Sequence, residues 1–289
     1  METRTITVAG LRTRVLVEDG GRGGRDPIVL IHGVGGWAEN WRPVMPRLAA
    51  TGRRVFAVDL PGFGESEPPR RVRYFGPDDP FYARFVVATM DALGIERAHI
   101  AGNSMGGAVA YMTAVTAPTR TRSLVLVAPG GLGRDVAFFL RACSLPGFGL
   151  VARLPRPRRA SREVLRTCFY DYRNITAELF DEAERYGHRS FPEFVRALSA
   201  GVGIRGVRRS LRDAWLAKAS LYAGPALVVW GREDLVLPIR HLADVHRTFP
   251  QAQVHVIERC GHMAMAERPD EFLEATLPFL DRAEEAAAA

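Results

Sequence analysis

Short apolar runs recur along the chain, and from residue 28 onward most of them are separated by helix-length segments. Strands that are apolar throughout and alternate with helices are typical of a parallel sheet covered by helices on both faces, and the two earliest runs fit an antiparallel edge. The pattern therefore predicts an α/β fold with a mostly parallel eight-stranded sheet. The predicted strands are TITV (5–8), RVLVE (14–18), IVLI (28–31), VFAV (55–58), HIAG (99–102), SLVLVA (123–128), ALVVW (226–230) and QVHVI (253–257).

The alternation stops between the sixth and seventh of these strands. That interval consists of helical pieces broken by a Pro- and Arg-rich segment, RLPRPRRASR (153–162), and it is flanked by the stops APGGLG and AGP. We therefore expect an all-helical cap at 131–221, inserted after the sixth strand between two parts of the core, 1–130 and 222–289. The helical pieces are VAFFLRAC, REVLRTCFYDY, TAELFDEAERYG and FPEFVRALSAG.

The composition is that of a globular protein with a large core, since 47% of the 289 residues are apolar and 25% are charged. No apolar run reaches the roughly 18 residues that a membrane span needs, and the first residues contain no signal-peptide core. Cys143, Cys168 and Cys260 have neither disulfide-framework nor zinc spacing, which is typical of thiols in a reducing compartment. We therefore expect a cytoplasmic protein without a transmembrane segment.

The net charge of +7 raises the question of nucleic-acid binding. The excess lies in residues 134–212, where 16 arginines face 8 acidic residues. These basic patches lack interleaved aromatic residues, and no helix-turn-helix or zinc pattern is present, so no nucleic-acid partner is expected. For the densest basic cluster we favour a solvated loop over docking to an anionic membrane or partner and over steering of an acidic substrate. That cluster is Arg153, Arg156, Arg158, Arg159 and Arg162.

The segment GNSMGG (102–107) places a serine among glycines between a predicted strand and a predicted helix. Gly102, Ser104 and Gly106 form the G-x-S-x-G pattern of a nucleophile elbow, in which a tight turn exposes the serine hydroxyl. The helix that follows directs its positive dipole end toward any negative charge that develops there. Glycine-flanked serines also occur in ordinary turns, so this motif alone leaves both interpretations open.

A serine hydroxyl needs a histidine base and a carboxylate to act as a nucleophile. Asp234 follows a strand in WGREDLVLP (230–238), and His262 follows the last strand in ERCGHMAMAERP (258–269). Loops at the carboxyl ends of parallel strands meet at one edge of a sheet, so Ser104, Asp234 and His262 are predicted to converge. Their order along the chain is the one expected for α/β-hydrolases.

An oxyanion hole needs two backbone amides. The glycine-rich turn HGVGG (32–36) follows the third strand, and its Val34 amide is predicted to pair with the amide of Met105, the residue after the serine. We expect Gly33, Asn103 and Met263, which adjoin these groups along the chain, to contact the substrate. A catalytic triad with an oxyanion hole is therefore the preferred interpretation.

Together these segments resemble the α/β-hydrolase fold family over nearly the whole chain. The resemblance implies that Ser104 attacks, that His262 is first base and then acid, that Asp234 orients His262, and that a helical cap shapes the pocket. It is specific for the fold and the nucleophile, and it does not specify the substrate. The matching segments are HGVGGWAENW (32–41), DLPGFGES (59–66), GNSMGG (102–107), WGREDLVLP (230–238) and CGHMAMAERPDEF (260–272).

Other residues compete for these roles. His32 lies in the HG turn and is expected to be a structural hydrogen-bonding residue, and Asp59 is expected to form a turn. Some relatives carry the acid after the sixth strand, where the nearest carboxylate here is Asp135, but we favour Asp234. An apolar cap is expected to line the pocket, with part of its residues only holding the cap together. The candidates are Phe138, Phe139, Leu140, Leu145, Phe148, Phe169, Tyr170, Phe191 and Phe194.

A serine at the elbow differs from the aspartate of haloalkane dehalogenases and epoxide hydrolases and implies an acyl-enzyme formed from a carbonyl substrate. Asn103 and the segment 165–183 are similar to the meta-cleavage-product hydrolases, which cleave C–C bonds. Two features depart from that family. Met263 occupies the position where those enzymes typically have tryptophan, and the HGVGGW turn is more similar to that of simple esterases than to the proline-containing turn of the C–C hydrolases. We therefore favour a carboxylic ester hydrolase.

Several alternatives stay open at this point. The first is a C–C bond hydrolase, followed by lactone, thioester or perhydrolase chemistry, and a non-catalytic ligand-binding protein on the same fold is an alternative of a different class. The expected partner is a small-molecule carbonyl substrate, and no cofactor or metal is implied. The oligomeric state is left open.

Overall fold

A computed structural model of the protein describes residues 1–21, 24–151 and 159–288. The strands are β1 (Glu2–Val8), β2 (Leu11–Glu18), β3 (Ile28–Ile31), β4 (Val55–Val58), β5 (Ala98–Asn103), β6 (Thr121–Val127), β7 (Val202–Gly203), β8 (Gly206–Val207), β9 (Ala226–Gly231) and β10 (Gln253–Ile257). The α-helices are α1 (Met45–Ala49), α2 (Phe81–Ala92), α3 (Met105–Thr116), α4 (Phe138–Cys143), α5 (Phe148–Val151), α6 (Arg159–Thr167), α7 (Ala177–Gly201), α8 (Arg209–Ala219), α9 (Leu242–Thr248), α10 (Ala264–Glu267) and α11 (Pro269–Ala288).

Eight strands form one sheet in the order β1-β2-β4-β3-β5-β6-β9-β10. The β1–β2 and β2–β4 pairs are antiparallel and the other pairs are parallel, as the sequence predicts. Because β3, β5, β9 and β10 run parallel, the loops that follow them lie along one edge of the sheet.

Apolar clusters cover both faces of this sheet. Val29 and Ile31 of β3 belong to one cluster and Ile28 and Leu30 to the other, because alternate side chains of a strand point to opposite faces. Helices α2, α3 and α8 contribute to the first cluster, and helices α1 and α11 contribute to the second. The predicted fold class, an α/β-hydrolase sheet with helices on both faces, is confirmed.

The cap follows β6 as expected, but two details of its prediction are wrong. It is not all-helical, because β7 and β8 pair as a short antiparallel ladder whose Val207 amide donates to the Arg134 carbonyl at 2.8 Å. The two predicted helical pieces TAELFDEAERYG (176–187) and FPEFVRALSAG (191–201) belong to a single helix, α7, that continues through Pro192. Proline removes one helical hydrogen bond, and the buried side chains Phe194 and Leu198 hold the helix on the core beyond it.

The cap boundaries at 131 and 221 stay a prediction. Of the arginine cluster, Arg153, Arg156 and Arg158 lie outside the described residues. Arg162 is described and forms ion pairs with Glu184 at 2.6 Å and with Asp181 at 3.7 Å. Within the described residues, no helix is long and apolar enough to cross a membrane.

Candidate active site

Ser104 lies in a strained turn between β5 and α3. Its φ of 56° is in the region that favours glycine. This conformation costs a serine about 1–3 kcal/mol and persists only where the surrounding structure imposes it. The Ser104 amide donates to the Val127 carbonyl at 2.9 Å, and the Ser104 carbonyl accepts from the Gly130 amide at 2.8 Å. A Cβ atom on Gly102 would lie 2.1 Å from the Gly106 carbonyl oxygen, so the turn requires glycine there. These features are those of a nucleophile elbow.

His262 and Asp234 are joined by a buried hydrogen bond. The Nδ1 atom of His262 lies 2.7 Å from Oδ2 of Asp234, while Oδ1 of Asp234 accepts from the Val236 and Leu237 amides at 2.8 and 2.9 Å. The carboxylate therefore accepts at both oxygens, and His262 Nδ1 is the donor. The proton on Nδ1 leaves Nε2 of His262 as an acceptor, and this buried atom has no hydrogen-bond partner among the described residues.

Asn103 fixes the position of the loop that carries His262. Its Nδ2 atom donates to the His262 carbonyl at 3.0 Å and to the Val127 carbonyl at 3.2 Å. The His262 amide in turn donates to the Cys168 carbonyl of the cap at 2.7 Å. Asn103, Gly33 and Met263, the residues predicted to contact the substrate, all border the larger cavity. The amide nitrogen of Asn103, however, is already hydrogen-bonded to two backbone carbonyls.

The predicted oxyanion turn packs directly against the serine. The turn is closed by a hydrogen bond from the Gly36 amide to the Gly33 carbonyl at 3.0 Å, and a Cβ atom on Gly33 would lie 3.1 Å from Cβ of Ser104. Val34 follows in this turn and borders the cavity. Met105 is the first residue of α3, so its amide has no partner within the helix. Met105 is thus adjacent to Ser104 in the chain, and Val34 borders the same cavities as Ser104. Their role as oxyanion donors stays a prediction.

His32 stabilises this turn through hydrogen bonds to backbone groups. Its Nδ1 atom donates to the Gly33 carbonyl at 2.7 Å, and its Nε2 atom accepts from the Leu60 amide at 3.0 Å. Burial lowers the pKa of His32, because the apolar surroundings disfavour the charged ring. With both ring nitrogens bound to backbone, His32 has the structural role that the sequence predicts.

The competing carboxylates have other partners. Asp59 is fully buried and accepts from the Ala38 and Glu65 amides at 2.7 and 2.9 Å, as a turn-forming residue does. Asp135 is exposed and pairs with Arg240 at 3.1 Å. The geometry therefore favours Asp234 as the partner of His262.

The change Asp234→Asn is expected to lower kcat by about 10²-fold or more while the fold is preserved. The two backbone amides will retain the amide oxygen, which turns the NH₂ group toward His262 Nδ1. That nitrogen must then accept, which moves the ring proton to Nε2 and removes the base. Steady-state hydrolysis of a p-nitrophenyl ester measures the effect. The matched control Asp135→Asn should be nearly silent, and the opposite ranking of the two variants would move the acid to the cap.

Two cavities meet at Ser104. The larger has a volume of about 290 Å³ and lies between the sheet edge and the cap helices, and the smaller has a volume of about 80 Å³. Ser104, Val34 and Leu140 border both, whereas His262 borders the larger one. Their walls are mainly apolar.

Only some of the apolar cap residues that were predicted to line the pocket do so, depending on which face of their helix they occupy. Phe139, Leu140, Phe191 and Phe194 line the larger cavity, as predicted. In contrast, Phe138, Leu145 and Tyr170 are exposed, so they do not line it, because α4 turns Phe138 outward and Tyr170 follows the end of α6. Four further lining residues are polar and belong to no sequence motif, since their placement depends on how α6 and α7 lie over the core: Ser161, Glu184, His188 and Ser190.

Charge is sparse in the larger cavity. Among its described lining residues Glu184 is the carboxylate, and it pairs with Arg162 at 2.6 Å. None of the described lining residues is arginine or lysine. In the part of the chain that the structure describes, no cluster of three His, Cys, Asp or Glu side chains is placed to hold a metal ion.

Comparison with known proteins identifies the family to which the chain belongs. A model of the α/β hydrolase fold family matches residues 26–269. The chain belongs to the α/β-hydrolase family. This hydrolase is 34% identical, over 96% of its length and 94% of the relative's, to a 2-hydroxy-6-oxo-6-phenylhexa-2,4-dienoate hydrolase of Burkholderia cepacia.

Solved structures give the same fold. A meta-cleavage product hydrolase from Pseudomonas fluorescens IP01 superimposes with a TM-score of 0.76 at 28% identity, covering 97% of this chain and 98% of that one. A bacterial membrane phospholipase A superimposes with a TM-score of 0.79 at 25% identity, covering 98% of this chain and 86% of that one. Relatives of this hydrolase therefore carry names of more than one substrate class.

Proposed function

We propose that the protein is a serine hydrolase that cleaves neutral carboxylic esters of small molecules through an acyl-enzyme. The observation that carries this proposal is the buried Nε2 atom of His262, which lacks a described partner, on a ring that Asp234 fixes and in the cavity that Ser104 also borders. A neutral imidazole in that tautomer is the base that a serine nucleophile requires.

The proposed reaction uses each group in turn. Ser104 Oγ attacks the ester carbonyl while His262 Nε2 takes the hydroxyl proton, and the negative oxygen of the tetrahedral intermediate accepts from the Val34 and Met105 amides. His262 then gives the proton to the leaving alcohol, which leaves an acyl group on Ser104. A water molecule, deprotonated by His262, attacks this acyl group, and the acid product leaves with Ser104 regenerated.

The character of the cavities supports a neutral substrate. Their walls are mainly apolar, and the carboxylate of the described lining is paired with Arg162. None of the described residues that line the larger cavity is arginine or lysine. Burying a substrate carboxylate without such a partner is unfavourable. We infer that the two cavities hold the acyl and alcohol parts of the ester, which join at Ser104.

The names of the relatives favour a second candidate, C–C bond hydrolysis of a meta-cleavage product. Two of them are a 2-hydroxy-6-oxo-6-phenylhexa-2,4-dienoate hydrolase and a 2-hydroxymuconate semialdehyde hydrolase. The first of these names describes a carboxylate substrate, for which the described lining supplies no arginine or lysine. Lactone, thioester and perhydrolase reactions would use the same acyl-enzyme. The cytoplasmic location and the absence of a cofactor stay predictions.

A substrate panel separates the two candidates. We expect p-nitrophenyl esters of short and medium acyl chains to be hydrolysed with a kcat/KM at least about tenfold above that for 2-hydroxy-6-oxo-6-phenylhexa-2,4-dienoate, because no arginine or lysine among the described lining residues pairs with a substrate carboxylate. Initial rates of p-nitrophenol release and of dienoate bleaching measure the ratio. The reverse ratio would identify a C–C hydrolase. Failure of a fluorophosphonate to label the protein would indicate a ligand-binding protein.

A further inference from the structure

A buried guanidinium lies beneath the oxyanion turn. Arg14 of β2 is 5% exposed. Its Nη1 and Nη2 atoms donate to the two carboxylate oxygens of Glu39 at 2.8 and 2.7 Å, and its Nε atom donates to Oδ2 of Asp59 at 2.6 Å. Nη1 also donates to the hydroxyl of Tyr186 at 3.0 Å. One side chain therefore joins three separate parts of the chain.

Such an arrangement stabilises a geometry more than it stabilises the fold. Taking an ion pair out of water costs about as much as its attraction returns, so apolar side chains of similar size often serve stability equally well. The planar guanidinium, however, binds a carboxylate through two parallel hydrogen bonds and so fixes direction as well as distance. We therefore expect the hydrogen bonds of Arg14 to fix the positions of Glu39, Asp59 and Tyr186.

One branch of the network leads to the oxyanion turn. Glu39 lies in the 3₁₀ helix Ala38–Trp41 that follows this turn, and Oδ1 of Asp59 accepts from the Ala38 amide at 2.7 Å. Oδ1 of Asn40 accepts from the Trp37 amide at 3.1 Å and lies 2.5 Å from where a Cβ atom of Gly36 would be. The turn and the 3₁₀ helix are therefore in close contact, and Arg14 holds the 3₁₀ helix through two carboxylates.

The other branch leads to the cap. Tyr186 belongs to α7, and the Arg14 guanidinium carbon lies 5.0 Å from the centre of its ring. Trp37 directly follows the oxyanion turn. Its ring lies 5.7 Å from that of Tyr186, and its Nε1 atom donates to Glu182 of α7 at 3.0 Å. Arg14 therefore contacts both helix α7, which covers the cavity, and the 3₁₀ helix that follows the oxyanion turn.

We propose that Arg14 is a positioning residue for the oxyanion hole, holding the Val34 amide in line with the carbonyl oxygen of the substrate; this inference rests on the proposed function. Arg14 touches no reacting atom. Its effect passes through Glu39 and Asp59 to the turn, and it is therefore largest where the oxygen becomes negative, in the transition state.

The test is Arg14→Lys, which keeps the positive charge and removes the planar guanidinium with its two parallel hydrogen bonds to Glu39. The matched control is Arg4→Lys on the neighbouring strand β1, where the arginine pairs with Glu2 at the surface. We expect Arg14→Lys to lower kcat by about 10- to 100-fold with little change in KM, less than the loss of a whole oxyanion donor. Arg4→Lys should behave as the unmodified protein.

Two ligands separate positioning from a loss of structure. A trifluoromethyl ketone analogue of the best ester forms a tetrahedral adduct with the serine and uses the oxyanion hole, whereas the ether with a CH₂ group in place of the carbonyl does not. In Arg14→Lys the affinity for the ketone should fall by the same factor as kcat/KM, and the affinity for the ether should change by less than about twofold. Equal weakening of both ligands, or an unchanged kcat, would overturn the proposal.

A second variant covers the case in which Arg14→Lys does not fold. Glu39→Gln keeps the shape of the partner and removes one charge-assisted hydrogen bond, and it should show the same selective loss for the ketone to a smaller degree. An equal response to ketone and ether in Glu39→Gln counts against the inference. Failure of the unmodified protein to react with a fluorophosphonate would overturn the proposed function itself, whereas equal reaction rates of the unmodified protein and Arg14→Lys would overturn this inference alone.

Discussion

Replacing Ser104 with alanine is expected to lower kcat for ester hydrolysis by about 10⁴-fold or more, with little change in the free energy of unfolding. The hydroxyl is the group that forms the acyl-enzyme, so without it only the oxyanion hole and substrate binding contribute to the rate. The backbone at φ 56° is equally strained for alanine, which also has a Cβ atom, so folding should be unaffected. Initial rates with a p-nitrophenyl ester and a thermal unfolding curve measure the two quantities.

The control for this variant is Ser199→Ala, which makes the same change on helix α7 at a residue that borders neither cavity. It should retain full activity and full labelling by a fluorophosphonate, whereas Ser104→Ala should not be labelled. A Ser104→Ala protein that retained a kcat near that of the unmodified protein would rule out a covalent mechanism at this residue.

The elements that position Ser104 could be predicted because their signals are local. The bounds of β3 and β4 agree with the apolar runs at 28–31 and 55–58, since a strand buried on both faces must be apolar along its whole length. The bounds of β10 also agree with the predicted run at 253–257, where the valines alternate with polar residues. The elbow is visible because the tight turn admits only glycine at 102. The order of strands then brings the three catalytic candidates to one edge of the sheet.

Features that depend on distant contacts could not be predicted in this way. Arg14 is 25 residues from Glu39, 45 from Asp59 and 172 from Tyr186, and nothing in the TRVLVE segment marks it as buried. The continuity of α7 through Pro192 likewise follows from packing on the core, which overrides the local preference of proline. Exposure of Phe138 depends on which face α4 turns to the cavity, and six residues are too short to fix that from periodicity.

Replacing His262 with alanine is expected to be nearly as damaging as Ser104→Ala, with a loss in kcat of about 10⁴-fold. Without the ring, Asp234 has no group to orient, and the serine hydroxyl has no acceptor for its proton. Rates with the same ester measure the loss. His246→Ala, on the exposed surface of α9, is the matched control and should leave the rate unchanged.

The double variant Ser104→Ala with His262→Ala decides whether the two residues act as one unit. A base without its nucleophile contributes nothing to acylation, so removing His262 from a protein that already lacks Ser104 should not slow the residual reaction further. The rate of the double variant is therefore expected to equal that of Ser104→Ala within error. Losses that multiply would mean that His262 promotes hydrolysis by a route that bypasses Ser104, such as activation of water for direct attack, and the acyl-enzyme would have to be abandoned.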